Sequence, residues 1–414
     1  MEICNVAYRD LAAVSIACSI NPTIIHLILK NSSFSSSMAL ELLNLKLLEV
    51  HSGVFVDKDF WVLCARLERL IIDRNTLPKL PTDVTFPDLT HLEIGEFVGQ
   101  DLNLVEFASR CRNLRVIRLP VGTGSKHLMA GEFGRLAMAG TWPRLRSLRF
   151  SPLDIPDAAV EGILGSMQPH LEWKVGKSGF GPQSFKTLRN HFRTILHLDL
   201  KQCQNVTSEM IQEVLSSCPQ LVVFRGDRIE ARHIVDGKPW VCSSLKELTV
   251  NIDFDFGLAS TTTTQGTPVA VDAETTEATT AIDSTKESAK PLENNGMDQV
   301  QRRVFKQLSV LHDIRTLNVG FEDNVESGVG AEGNSALHLG LDLRLRMGLD
   351  QLHCLKKITT LSFQGTLQTI CVEDISWILV HWKSLESASG TFDSVDSQRN
   401  VQLIEILQKH GVRV

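Results

Sequence analysis

The 414-residue sequence is short of most features that would classify it quickly. Aromatic residues make up 6% of it, with a single Tyr, so any core must be aliphatic. Neither sign of charge dominates. There are 42 Lys and Arg against 48 Asp and Glu, a net charge of −6, which leaves no general basic footprint for nucleic acid. No apolar run is long enough to cross a bilayer, and MEICNVAYRDLAAVSIACSI has no basic n-region and is interrupted by Arg9 and Asp10. Neither a membrane span nor a signal peptide is expected. Nine cysteines are present, none closer than 14 residues to the next and with no Cys-x-x-Cys pair. That spacing argues against a disulfide framework and against zinc. Cytoplasm or nucleus is the expected location, and the sequons at Asn31 and Asn205 are then chance matches.

What the sequence does have is a repeat. Apolar residues recur at i, i+3 and i+5: Ile24/Leu27/Leu29, Leu45/Leu48/Val50, Leu67/Leu70/Ile72, Leu89/Leu92/Ile94, Leu114/Ile117/Leu119 and Leu145/Leu148/Phe150. The spacing continues at Ile195/Leu198/Leu200, Leu245/Leu248/Val250, Ile314/Leu317/Val319 and Ile358/Leu361/Phe363. Leu221/Phe224 and Leu385/Ala388 begin it and then place Gly226 and Gly390 third. HLEWKV, 170–175, is a member whose register the spacing leaves open. Leading positions step by 21, 22, 22, 25 and 31 residues from Ile24 to Leu145, centred on the leucine-rich-repeat period of roughly 20 to 29. In a strand, side chains two apart share a face, so i+3 and i+5 are buried together. Return segments are mostly helical: Val160, Ile163, Leu164 and Met167 follow i, i+3, i+4, i+7, as do Ile211, Val214, Leu215 and Cys218. Thr207 is placed as an N-cap. Pro22, Pro87, Pro143, Pro169 and Pro219 each stand two residues before a strand apolar residue and stop the helix there. The expected fold is α/β, a leucine-rich-repeat solenoid of about a dozen units with parallel strands on the concave face and helices on the convex face.

Cys64, Cys111, Cys218 and Cys242 all fall three residues before a leading Leu, which reads as a repeated packing position. Cys203 lies just past its strand, where such repeats carry a residue bonding in the turn. The run Leu198-x-Leu200-x-x-Cys203-x-x-Val206-Thr207, continued by Ile211, Val214, Leu215, Cys218, Pro219 and Leu221, resembles the cysteine-containing (RNI-like) repeat of F-box/leucine-rich-repeat proteins. Ser208 stands where that subtype usually has Asp. The C-terminal VEDISWILVHWKSLESASGTF is similar to the end of fungal F-box/leucine-rich-repeat proteins. The resemblance implies the substrate-binding part of a cullin-RING (SCF) ubiquitin ligase receptor. No F-box is recognisable, because the first strand, from Ile24, leaves no room for one. A ligase adaptor is therefore an expected partner only if an F-box lies outside this chain. The alternative is a repeat scaffold or inhibitor-like binder unrelated to ubiquitin.

Residues 1–253 are expected to form the array, 254–296 a disordered insertion rich in Thr, Ser and Glu, and 297–414 its continuation and C-terminal cap. Thr267-Pro268 in the insertion could accept a phosphate. A helix is expected from Met297 to about Leu311. Another, rich in Leu, should follow a glycine-rich stretch spanning 320–334. VGTGSKHL (121–128) and GKSGFG (176–181) invite a nucleotide reading, but neither supplies the full phosphate-loop pattern. They read as loops from strand to helix. No Ser/His/Asp or Cys/His arrangement emerges from spacing, so no catalytic residue, cofactor or metal ligand is assigned. The candidate site is the concave face, with a protein as partner and neither nucleic acid nor membrane. Its expected contacts are Arg118, Arg149 and Arg225, suited to carboxylate or phosphate, with His197, Asp199, Lys201 and Asp227.

Overall fold

The computed structural model describes residues 2–4, 21, 23–31, 42–52, 59–75, 77–95, 104–119, 126–150, 155–254, 294–320 and 339–414. Among them fourteen strands, from Glu2–Cys4 to Ser387–Ser389, form one sheet in strict chain order. Every neighbouring pair is parallel. One parallel strand per period, with the chain returning outside the sheet, makes the molecule a leucine-rich-repeat solenoid.

Strand pairing aligns the apolar positions into columns. The i+3 column reads Leu27, Leu48, Leu70, Leu92, Ile117, Leu148, Trp173, Leu198, Phe224, Leu248, Leu317, Leu361, Ala388. None of these is more than 3% exposed. Burying one such aliphatic side chain stabilises by roughly 1.5–3 kcal/mol. A single unit has too few of them to fold alone, so each strand depends on its neighbours.

The open register at 170–175 is fixed by pairing: Trp173 lies between Leu148 and Leu198, and Lys174 between Arg149 and Asp199. His170 adopts φ +64, so the chain bends and Leu171, fully buried, supplies the leading apolar group one residue late.

The cysteine position also has a geometric cause. The carbonyls of Cys64, Cys111, Cys218 and Cys242 accept the N–H of Leu67, Leu114, Leu221 and Leu245 at 3.2, 3.4, 3.3 and 3.0 Å. All four residues are fully buried. Phe86, Trp142, Leu311 and Trp382 make the same bond in other units, so the position selects bulk that packs. Burial raises all four thiols, Cys242 to about 12, which disfavours the thiolate needed for redox or metal chemistry.

Helices Asp157–Ser166 and Ser208–Ser217 bury the residues expected of them. Thr207 caps the second by accepting the Met210 N–H at 3.3 Å. Strand Glu247–Asp253 pairs directly with Thr316–Asn318, so the sheet is unbroken across the sequence insertion. Residues 255–293, with Thr267-Pro268, lie outside the described residues, as do 121–125 and 321–338. The helix expected from Met297 runs instead over Asn294–Leu308. The Leu-rich helix expected after 334 is absent among the described residues: two 3-10 turns, Leu345–Met347 and Leu349–Cys354, stand there. Gly348 between them takes φ +117, a left-handed conformation that ends a helix. At the C-terminus, Ala388 N–H donates to Arg413 at 2.8 Å and Arg413 N–H to Glu386 at 2.9 Å. This extra rung covers the last sheet edge.

Candidate concave binding face

Because strand side chains alternate, the i+2 and i+4 residues face away from the core and line the concave surface. Their registers are continuous. The i+4 column runs Ile28, Glu49, Ile71, Glu93, Arg118, Arg149, Lys174, Asp199, Arg225, Thr249, Asn318, Ser362, Ser389. It places four of the expected contacts, Arg118, Arg149, Asp199 and Arg225, in one line. It also adds Lys174, which the sequence reading missed because the leading apolar residue of its unit is displaced by one.

Charges on this line pair between strands. Arg118 Nη1 lies 3.0 Å from Glu93, and Arg225 bridges Glu247 at 2.5 Å and Asp199 at 3.6 Å. Among the described residues, Arg149 and Lys174 make no side-chain hydrogen bond or ion pair. Partial burial pushes the Lys174 ammonium below its ordinary pKa; Glu172 opposes this, while Arg149, Arg225 and Arg118 add to it. The centre of the face thus holds two adjacent cations that make no direct ion pair.

His197 occupies the i+2 column, 3.7 Å from Glu172. Its pKa is lowered, first by burial and then by Lys174 and Arg118, against Glu172 and Glu247. Lys201 lies just beyond its strand, in a turn, and Asp227 lies within strand Val223–Glu230, at the register shift between Arg225 and Arg228. Lys201 N–H donates to Asp199 at 3.1 Å, and Asp227 accepts the Gln202 N–H at 2.6 Å. Asp227 therefore holds the turn of the preceding unit, where Gln202 takes φ +59.

A hollow of about 350 Å³ opens on the same face across five strands. Arg69, His91, Glu93, Arg118, Arg146, Ser147, His170 and Glu172 line it, with Leu92, Val116 and Leu196. Glu172 accepts from Ser147 Oγ at 2.9 Å. The His91 pKa is lowered by burial first and then by Arg69, Arg146, Arg115 and Arg118.

Two features outside this face answer sequence questions. The last amide of the GKSGFG loop and those opening the helix Pro182–Leu188 after it are already occupied: Asp157 accepts from Gly181 and Gln183 N–H at 2.9 Å and from Ser184 N–H at 3.0 Å. Burial opposes ionisation of Asp157, but the Ser184 hydroxyl and these amides outweigh it and hold its pKa low. Gly179 approaches so closely that a Cβ there would lie 2.4 Å from the Ile155 carbonyl. The loop spends its anion-binding capacity on the protein's own carboxylate. On the convex side, Ser208 Oγ accepts the Glu230 N–H at 2.8 Å and lies 2.7 Å from His233 Nδ1, whose Nε2 is 3.0 Å from Glu209. Ser208 so acts as the acceptor that ties its helix to the next unit.

Sequence reasoning also saw only one member of a buried polar column. Asn75 and Cys203 both stand eight residues after the leading position. Asn75 donates to Val50 and Asp73 carbonyls at 2.9 and 2.7 Å, and Cys203 to Val175 and Lys201 carbonyls at 3.7 and 3.8 Å. Each reaches the i+5 carbonyl of the previous unit and its own i+6. Thr366 stands at the same position and donates to Phe363 at 2.7 Å. The equal offset was the available signal. Among the described residues no group of three or more His, Cys, Asp and Glu is placed to hold a metal ion, and no helix is long and apolar enough to cross a membrane.

No family model and no curated protein matches the chain. Similar solved structures include the leucine-rich-repeat ectodomain of the plant membrane receptor kinase GASSHO1/SCHENGEN3 from Arabidopsis thaliana in complex with CASPARIAN STRIP INTEGRITY FACTOR 2. It is 13% identical, with a TM-score of 0.45, over 91% of this chain and 39% of that chain. A TDR receptor is 12% identical, with a TM-score of 0.42, over 92% of this chain and 58% of that chain. This chain thus spans about two fifths and three fifths of their lengths. At that distance the fold stands on the strand register described above.

Proposed function

We propose that this protein is a non-catalytic protein-recognition module that binds its partner on the concave face. The observation that carries this reading is the i+4 line, where the adjacent Arg149 and Lys174 make no direct ion pair while Arg118 and Arg225 on either side are paired. Cations without a direct partner, set side by side by the strand register, leave positive charge available to an anionic surface. Residues 1–253 and 297–414 act as one array, and 254–296 is an insertion that leaves the face continuous.

The finer reading is the substrate-binding part of an F-box-type ubiquitin ligase receptor in the cytoplasm or nucleus. The cysteine-containing unit over 195–221 supports it, with Cys203 bonding in the turn. The seven described cysteines are free thiols, in keeping with a reducing compartment. Expression of the tagged full-length protein in its native host tests both levels. The receptor reading expects co-purification of the cullin-ligase adaptor and partners that accumulate when the proteasome is inhibited. Partners that bind without the adaptor and do not accumulate would leave the recognition module standing and sink the ubiquitin role.

A further inference from the structure

The hollow on the concave face gathers cations, two of which the rest of the protein leaves unused. Arg69, Arg118 and Arg146 line it with His91 and His170. The two carboxylates that share it are engaged: Glu93 holds Arg118 at 3.0 Å, and Glu172 accepts from Ser147 Oγ at 2.9 Å beside His197. Among the described residues, neither Arg69 nor Arg146 makes a side-chain hydrogen bond or ion pair. His91 registers the resulting positive field, since four arginines add to burial in lowering its pKa.

Size narrows what fits. Ligand sites run from roughly 300 to 1,000 Å³, so a hollow of about 350 Å³ takes one compact group and excludes an extended polymer. Charge narrows it further. A carboxylate brings one negative charge, whereas a phosphomonoester brings about −1.5 to −2 and three strong acceptor oxygens. Guanidinium groups match those oxygens bidentately, and two are unused here. An apolar ligand would bury both without compensation.

The geometry points to this hollow as a binding site for a phosphomonoester group, chelated by Arg69 and Arg146, with Arg118 and His91 at its side. The group has two sources: a phosphorylated side chain on a protein partner, or a small free phosphate ester. Both present the same oxygens. The site goes beyond the recognition reading and does not depend on it, because it needs only the hollow.

Calorimetric titration of the full-length protein at low ionic strength tests it. The probes are glycerol 3-phosphate, a short phosphoserine peptide, and the same peptide with Ser or Glu in that place. Saturable binding of the phosphate-bearing probes is expected, weakened at least tenfold in R69Q/R146Q and unchanged in the charge-matched K356Q/K383Q, whose lysines are exposed away from the hollow. A tighter phosphopeptide assigns the group to a protein partner, and a tighter glycerol 3-phosphate assigns it to a free ester. If R69Q/R146Q does not fold, the His91 ring resonances of the unmodified protein serve instead. Bound phosphate stabilises the imidazolium, so the His91 pKa should rise. Absence of saturable binding, equal losses in both double variants, or His91 signals that ignore phosphate would overturn the assignment.

Discussion

The units before and after residue 254 have the same interior and different exteriors. Leu198 and Leu317 occupy one buried column, and Cys242 and Leu311 make the same carbonyl bond to the next leading residue. On the concave face the two parts diverge. Glu93, Arg118, Arg149, Lys174, Asp199 and Arg225 lie in the first part, which ends on the neutral Thr249, and the second part continues the line with Asn318, Ser362 and Ser389. The interior is alike because every unit must bury the same short strand face against its neighbours, and a stacked array fixes that face. The exterior is unconstrained by stacking; the proposed function assigns binding to the first part, and spacing and closure of the array to the second.

The largest effect should come from a charge in the shared column. Leu198→Asp and Leu317→Asp should each cost more than about 4 kcal/mol, since each buries an unpaired carboxylate. Denaturant unfolding should show equal severity in both parts, and a mild Leu317→Asp would mean that the second part is not an array of the same kind. Trp173→Ala removes the largest member of the column and should cost about 3–5 kcal/mol, with the far-UV spectrum of the remaining units largely kept. Asn75→Ala removes two hydrogen bonds, to the Val50 and Asp73 carbonyls, and should cost about 1–3 kcal/mol; Thr366→Ala, which removes the one to Phe363, should cost less.

A smaller effect separates the parts by pH. Asp157 has a lowered pKa in the folded state, so its contribution is full above the ordinary carboxylate value and is lost as pH falls through the folded one. Asp157→Ala should lower Tm at neutral pH by an amount worth about 1–2 kcal/mol, and the gap to the unmodified protein should close in acid. Smallest of all, Arg225→Gln should change stability by less than about 1 kcal/mol, because the pair is partly exposed and screened. Its consequence should appear in partner binding and in the salt dependence of that binding.

The columns were legible in the sequence because they obey a period, and a period survives without knowledge of the partner. Thr207 as a cap and the cysteines before the leading leucines were legible for the same reason. Lys174 was hidden, since a left-handed His170 moves the leading apolar residue by one and breaks the spacing that would have placed it. The helix expected after 334 failed because a single Gly348 with positive φ outweighs local leucine content. The hollow could not be read at all: Arg69, Arg118, Arg146 and His170 come from four different units, and only the sheet brings them together. Asp227 was expected to face a partner, yet its carboxylate is spent on the Gln202 amide, a use that spacing does not reveal.

On the proposed function, the charged middle of the concave face does the binding. Quantitative affinity purification with charge-matched pairs addresses it, comparing R149Q/K174Q in the middle with T360E/S389E beyond the insertion, each shifting charge by two in the same direction. R149Q/K174Q should lose the partners retained by the unmodified protein, while T360E/S389E should keep them. Retention of the same partners by R149Q/K174Q, or their loss from T360E/S389E alone, would contradict it.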